Sequence, residues 1–588
     1  MKRNLKSAIK YFLYILITVV VTIVVFKFLK WTTKKHRGST NLTSVLADYQ
    51  LQTNYVPQKI DWHDWQQINI EKLRTGVGEQ GIIAELQNSE MQDKYESLYK
   101  VNGFNALLSD SISVNRSLPD IRHKLCKSKR YSSKLPTVSV IVPFHNEHFS
   151  VLLRTVYSVL NRSPKTLLKE IILVDDSSTK SHCKGPLDNF VKTNLYGKVQ
   201  VIHLKKRQGL IRARLAGAKK AISEVLIFLD SHTEANVNWL PPLLEPITDD
   251  YRTCVCPFID VIGYETFQYK AQDEGARGAF DWEFFYKRLP LLPEDLMTPT
   301  KPFRNPVMAG GLFAISARWF WELGGYDPGL DIWGGEQYEL SFKIWQCGGT
   351  ILDAPCSRIG HIYRKFAPFP NPGIGDFVGK NYKRVAEVWM DEYAEYLYSR
   401  RPTYRHIDPG DLTEQKKIRE KLKCKPFKWF ISEIAFDLVK RYPLVEPPDI
   451  GHGKIRSYNA PELCLDSTLE DRLKLKNCRD NNDDQEFTLS WRKDIRKKNN
   501  MCLDVSDVST RGKISLYRCH SSGGNQLWNY DHENKMLVHG GNYRCLEGDI
   551  STRKVYVTHC DPKDEDQKWI IEHVNPLATN WTLNLIGQ

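Results

Sequence analysis

Roughly the last quarter of the chain repeats itself three times. Cys464-Leu465-Asp466, Cys502-Leu503-Asp504 and Cys545-Leu546-Glu547 open three units, 38 and then 43 residues apart. Each unit closes on Gln-x-aromatic: Gln485-Glu486-Phe487, Gln526-Leu527-Trp528 and Gln567-Lys568-Trp569. A second cysteine falls inside each unit, at Cys478, Cys519 and Cys560. Self-similarity at about 40 residues with short β runs means a repeat fold, in which a unit too small to bury its own aromatic packs it against its copies. The module is expected over residues 454–588.

The other residues must fold separately, because single cores stop growing near ~250–300 residues and the chain has 588. Apolar runs Val138–Val142 (ended by Pro143), Ile171–Val174, Val199–Leu204, Val225–Leu229 and Cys254–Ile259 alternate with helical patterns such as Val151–Leu160. Strands and helices at about 30 residues per unit predict a mostly parallel α/β sheet over residues 101–440. An amphipathic helix is expected over 381–398, with Val385, Val388, Trp389, Tyr393, Tyr396 and Leu397 on one side. Pro443, Pro447 and Pro448 mark a linker at 441–453. Residues 31–100 are polar with weak periodicity and read as a stem.

Before the stem, Tyr11–Phe26 carries no charge, and Lys27 is followed by Phe28-Leu29. With snorkelling lysines at its ends, the stretch 11–30 can span ~30 Å of hydrocarbon, leaving residues 1–10 as a short tail. No small-residue cleavage site follows, which disfavours a cleaved signal peptide. Positive charges flank both sides, so orientation rests on the cysteines. There are 13 of them with no CxxC pair, and six cluster in the repeats. That pattern favours disulfides and an oxidising lumen, and the sequons at Asn41, Asn115 and Asn580 are compatible with it. The tail is therefore placed in the cytoplasm. The net charge of +14 comes from 83 basic residues mixed with 69 acids along the chain, not from one stripe, which argues against nucleic-acid binding.

Chemistry-bearing residues gather at strand ends, where open α/β sheets bind ligands. Leu226–Leu229 runs into Asp230-Ser231-His232, and Asp230 and His232 as alternate residues can point the same way. A carboxylate and an imidazole suit Mn²⁺. Such a pair also occurs in exposed loops, and its position after an apolar strand is what gives it weight. Asp175-Asp176 is placed likewise; one of these carboxylates can bind uracil or ribose, or cap a turn. Trp333-Gly334-Gly335-Glu336 joins a flat aromatic face, permissive backbone and a carboxylate. Met308-Ala309-Gly310-Gly311 adds a second glycine wall, and His361-Ile362-Tyr363-Arg364 a third nitrogen ligand and a cation. A base pocket, a cation between two phosphates and groups around an anomeric carbon are what nucleotide-sugar transfer needs.

Together with Asn102-Gly103-Phe104-Asn105, Arg116–Asp120, Phe144-His145-Asn146-Glu147 and Cys424–Trp429, these motifs resemble the polypeptide N-acetylgalactosaminyltransferases, the family 27 glycosyltransferases. The resemblance covers nearly the whole chain. Gln337 in Trp333–Tyr338 is similar to the branch that prefers glycosylated peptides. The resemblance implies a GT-A catalytic domain and a ricin-type β-trefoil lectin domain in a type II Golgi membrane protein. It implies Mn²⁺ on Asp230, His232 and His361, UDP at Asp176, Arg207, Trp333 and Arg364, with Ser231 beside them, and GalNAc among Ala309, Gly311 and Glu336. It implies retaining transfer from UDP-GalNAc to Ser/Thr-rich peptides or GalNAc-glycopeptides by front-face attack, with Asp230 and Glu336 as the catalytic carboxylates. Cys126–Cys356 and Cys347–Cys424 are its expected disulfides, with the repeat cysteines also bonded. Two departures stand out. Phe369 replaces a frequent tyrosine, and Thr233 replaces a frequent cysteine, which leaves Cys183, Cys254 and Cys256 without assigned partners.

A shallow sugar site needs a carboxylate, an amide and an aromatic face. The middle repeat has all three in Asp504, Tyr517, His520 and Asn525. The first repeat has Lys476 and Asp484 at matching places; the third has Thr558 and Asp566. The alternative to an active transferase is a catalytically silent glycan-binding scaffold.

Overall fold

The structure is a computed structural model of the chain. It describes residues 58–85, 91–195, 197–272, 275–469, 472–507, 509–520, 523–575 and 578. The expected tail, membrane anchor and first part of the stem lie outside the described residues, as do the sequons at 41 and 580. Among the described residues no helix is long and apolar enough to cross a membrane. The described residues separate into two compact units, one of residues 58–61 with Arg130–Lys134, the other of the remainder. In the first, Lys59–Ile60 pairs antiparallel with Tyr131–Ser132.

The second unit contains a twisted sheet built from β1 (Val138–Phe144), β2 (Leu168–Asp175), β3 (Val199–His203), β4 (Val225–Phe228), β5 (Thr233–Ala235), β6 (Thr253–Ile262), β7 (Phe303–Arg304), β8 (Phe313–Ser316) and β9 (Thr350–Ile362). The order is β7-β9-β6-β8-β4-β1-β2-β3, with β5 on β9. The pairs β3–β2–β1–β4 and β6–β9 are parallel, whereas β8 runs antiparallel between β4 and β6. Every residue of β1 is buried, as a strand covered by helices on both faces requires. Alternate residues feed two cores. Ile141, Ile172 and Phe228 face one, and Val140, Val142, Leu173 and Ile227 the other. Pro143 does not end β1. Pairing with β4 finishes at Ile141, so a missing N–H at 143 interrupts no ladder on that side.

Two expectations need correction. The stretch assigned to a stem is folded in part: Trp65–Lys72 and Gln92–Asn102 are helices. Buried Glu71 binds Arg162 at 3.0 Å, and Glu79 accepts from Arg74 and Ser117 at 2.7 Å. Its burial runs through ion pairs, which leave no apolar periodicity to read. The helix expected at 381–398 is two helices, Phe377–Trp389 and Ala394–Arg400. Between them Asp391 is left-handed (φ 49°), and its carboxylate binds Arg419 and the N–H of Phe427.

The repeat module is an all-β fold whose first strand, Gly451–Ser457, begins inside the expected linker. The recurrent glutamine has one job in all three units. Its amide donates to the carboxylate of the opening motif: Gln485 to Asp466 (3.1 Å), Gln526 to Asp504 (3.1 Å) and Gln567 to Glu547 (3.0 Å). Its oxygen accepts a backbone N–H from Arg479, His520 or Asp561. The indole N–H groups of Trp528 and Trp569 bond Leu503 and Leu546 carbonyls in the shared core. Disulfides join Cys464–Cys478, Cys502–Cys519 and Cys545–Cys560, and in the α/β domain Cys126–Cys356 and Cys347–Cys424. Cys183, Cys254 and Cys256 are free and buried.

Candidate active site

The sheet brings distant residues together at the carboxyl end of β4. After Phe228 the chain turns through Asp230-Ser231-His232 into β5, and β5 pairs with β9 so that Thr233 lies opposite His361. The N–H of Ile362 also bonds the carbonyl of His232 at 3.1 Å. Pairing alone thus places His361 beside a turn more than a hundred residues earlier. Asp230, His232 and His361 each offer a ligand atom, all within 4.8 Å of one another. His361 Nε2 lies 3.3 Å from Asp230 Oδ2, and the two imidazole centroids are 4.7 Å apart. One carboxylate and two imidazoles at this spacing fit a borderline divalent ion. Thr233 closes the turn, its hydroxyl donating to the carbonyl of Asp230 at 3.0 Å.

Asp230 is fixed from behind. Fully buried Arg214 donates to its Oδ1 at 3.0 Å and to the carbonyls of Gly310 and Gly311 at 2.8 and 3.1 Å. Burial raises the carboxyl pKa, but the bond with His361 and the charge of Arg214 outweigh it, and Asp230 stays below the usual carboxylate range. The glycine wall is steric: a Cβ on Gly311 would meet Asp230 Oδ2 at 2.8 Å, and one on Gly310 would meet Gln337 Cβ at 2.6 Å.

Glu336 begins the Glu336–Gln346 helix after left-handed Gly335 (φ 88°). It is buried, and one carboxylate oxygen has no hydrogen-bond partner among the described residues. Burial raises its pKa, and Asp230 adds to this against the opposing charge of Arg214. Asn381 holds the preceding loop by donating to the carbonyls of Asp331, Trp333 and Gly334. Trp333 projects its ring to solvent at 55% exposure, and Ala309 is exposed.

Asp176 accepts the N–H groups of Gln208 and Gly209, both at 2.7 Å. It shapes the turn that carries Arg207, whose Nε is buried without a hydrogen-bond partner among the described residues. Arg364 reaches back to the Asn102 carbonyl and stacks over Phe104 (4.9 Å) and Phe369 (5.6 Å). Arg214, Asn381 and Glu147 carry no role that the sequence motifs reveal. Glu147 lies at the centre of the cluster, taking bonds from Ser231, His232 and Arg364. Only its place in the Phe144–Glu147 motif marked it in the sequence.

In the repeats, Asp466 Oδ1 is bonded by Lys476 at 2.9 Å and by Thr468 N–H at 3.0 Å, and Glu547 Oε1 by the Tyr556 hydroxyl at 2.7 Å. Asp504 Oδ1 carries no such bond among the described residues. Nearby, Tyr517 is 58% exposed, the N–H of His520 is on Gln526, and the carbonyl of Asn525 accepts from Val505 and His539.

The chain matches glycosyl transferase family 2 over residues 139–324, the N-terminal domain of galactosyltransferase over 296–366 and the ricin-type beta-trefoil lectin domain over 451–569. It is 54% identical to N-acetylgalactosaminyltransferase 6 of Drosophila melanogaster over 540 residues, 90% of this chain and 81% of that one. It is 51% identical to polypeptide N-acetylgalactosaminyltransferase 10 of Homo sapiens over 531 residues, 88% of this chain and 86% of that one. Its fold is similar to the crystal structure of GalNAc-T7 with UDP, GalNAc and Mn2+, at a TM-score of 0.62 and 40% identity over 85% of this chain and 93% of that chain.

Proposed function

Because the chain belongs to the polypeptide N-acetylgalactosaminyltransferases, with a GT-A domain and a ricin-type β-trefoil, we propose that it transfers GalNAc from UDP-GalNAc to Ser and Thr hydroxyls, with Mn²⁺ and with retention at the anomeric carbon. The observation that carries this reading is the convergence of Asp230, His232 and His361 within 4.8 Å. Mn²⁺ held there would supply charge neutralisation for the departing diphosphate. The relative solved with UDP, GalNAc and Mn2+ supports the same assignment.

The protein's own groups do the remaining work. Arg364 and Arg207 bring positive charge for the phosphates, and Trp333 a flat face for the nucleotide. Ala309 and Gly311 form the wall against the sugar. Buried Glu336, with one oxygen unpaired among the described residues, orients the sugar or the incoming hydroxyl instead of forming a covalent intermediate. In front-face attack the departing phosphate itself accepts the hydroxyl proton. Removing the metal with EDTA, or substituting Asp230→Ala, is expected to abolish transfer to peptides while GalNAc binding by the trefoil persists. Metal-independent transfer would overturn the assignment, and no turnover on any peptide would leave the silent-scaffold reading.

The trefoil site of this proposal is the middle repeat, with Asp504, Tyr517, His520 and Asn525. Its support is the Oδ1 of Asp504, which is free among the described residues, where Asp466 and Glu547 are already bonded internally. Such a site would hold an existing GalNAc and raise the local concentration of nearby Ser/Thr. With Gln337, it supports a preference for glycosylated acceptors. Comparing transfer to naked and GalNAc-bearing peptides tests this, and a higher rate on naked peptide contradicts it. The apolar stretch at 11–30 and the disulfides support a single-pass type II Golgi protein with a lumenal catalytic domain. Protease protection of the C-terminal domains in sealed Golgi vesicles tests the topology.

A further inference from the structure

One carboxylate in the site contacts three functional side chains and belongs to no ligand set. Glu147 is 2% exposed and lies in the turn between β1 and the Phe149–Arg162 helix. Its Oε1 accepts the N–H of His148 at 3.0 Å. Its Oε2 receives Arg364 at 2.6 Å, the Ser231 hydroxyl at 2.8 Å and His232 Nδ1 at 3.0 Å. Three groups converging on one oxygen make that oxygen an acceptor. Arg364 Nη2 also lies 3.4 Å from His232 Nδ1, but it donates to Glu147 at 2.6 Å, and the Glu147 carboxylate at 3.0 Å is the nearer partner of Nδ1. Nδ1 is therefore assigned the hydrogen, and the lone pair of the neutral imidazole is left on Nε2. A histidine whose one nitrogen donates to a carboxylate has its tautomer and ring plane fixed for coordination through the other.

We propose that Glu147 is the positioning residue of this site: it holds His232 as the Nδ1–H tautomer with Nε2 available to the cation, and it anchors Arg364 in the same act. Two functions carried by separate sequence motifs, metal capture and the phosphate cation, thus depend on one buried side chain. The Ser231 hydroxyl completes the arrangement by fixing the turn between the two ligands it separates. The inference rests on the metal reading of Asp230, His232 and His361.

The test is Mn²⁺ affinity of the full chain, followed by the EPR signal of the free ion and without donor or acceptor. Wild type is compared with Glu147→Ala and the near-isosteric Glu147→Gln. Outer-shell partners of metal-bound histidines typically contribute ~10–100-fold in affinity, and Glu147→Ala is expected to lose that much. Glu147→Gln keeps the shape and loses the charge, and is expected to lose at least about tenfold. UDP affinity at saturating Mn²⁺ should fall as well, because Arg364 loses its anchor. A role in packing alone would not move Mn²⁺ affinity in a variant with an unchanged metal-free thermal melt. If Glu147→Ala fails to fold, Glu147→Gln decides by the same criterion. Wild-type Mn²⁺ affinity in a folded variant overturns the proposal and leaves the metal site standing, whereas wild type that binds no Mn²⁺ overturns both.

Discussion

Gly311→Ala separates the metal role of the glycine wall from its sugar role. Residue 311 has no positive φ, so alanine is conformationally allowed there and any effect is steric. The added Cβ would sit 2.8 Å from Asp230 Oδ2, where ordinary contact begins at 3.4 Å. The oxygen must retreat by about 0.6 Å (3.4 minus 2.8). Oδ1 is pinned by Arg214, so the carboxylate can yield only by rotating. Holding a side chain ~30° off its rotamer costs about 0.5–1.5 kcal/mol, and metal–ligand distances tolerate only ~0.2 Å. At ~1.4 kcal/mol per tenfold, strain alone weakens Mn²⁺ binding several-fold, and losing the ligand weakens it further. We expect about 5- to 100-fold weaker Mn²⁺ affinity by calorimetric titration of the donor-free protein. Affinity within twofold of wild type, with only the KM for UDP-GalNAc raised, would refute the steric argument and leave Gly311 serving the sugar alone.

Arg116 and Glu234 form a bidentate pair at 0% and 3% side-chain exposure, and Glu234 lies on β5 next to the metal turn. Arg116→Met alone should cost about 3–5 kcal/mol in denaturant unfolding, while the double replacement Arg116→Met/Glu234→Leu should cost less; equal losses would contradict the pairing. Trp528→Ala, at a fully buried position, should destabilise the trefoil by about 3–5 kcal/mol, seen as an earlier unfolding transition and lost GalNAc binding. Asp504→Asn should abolish GalNAc binding, and Asp466→Asn should leave it intact; binding that survives Asp504→Asn, or is lost with Asp466→Asn, would refute the assignment to the middle repeat alone. His203 faces Asp175 at 2.8 Å and Asp188 at 3.0 Å through its two nitrogens. Burial lowers its pKa, but those bonds prevail and the value is raised above 6.5. Its stabilisation is therefore complete below about 6.5 and fades as pH rises through the folded value. The difference in melting temperature between wild type and His203→Gln should be largest in mild acid and vanish in base; the opposite slope would rule the bridge out.

The sequence announced the trefoil because each repeat must present the same glutamine and aromatic to the same partners. The parallel sheet was legible because β1, β2 and β4 are buried on both faces and read as continuous apolar runs. The pairing of β5 with β9 was not legible: three residues carry no periodicity, yet they bring His361 to Asp230. Arg214 and Glu147 were equally hidden, since a charged residue in a sequence looks solvated until its buried partners are known. The folded part of the presumed stem escaped for the same reason, as Glu71 and Glu79 are buried by arginines and a serine.

The strand that supplies His361 emerges late in synthesis. A ribosome adding ~5–20 residues per second makes Asp230 about 7–26 seconds before residue 361, 131 positions further on. Until β9 docks, a growing polypeptide owns two of the three groups proposed to hold the ion and lacks the pairing that brings the third to them. Ion loading at the proposed site would thereby wait for chains in which β9 has been made and docked.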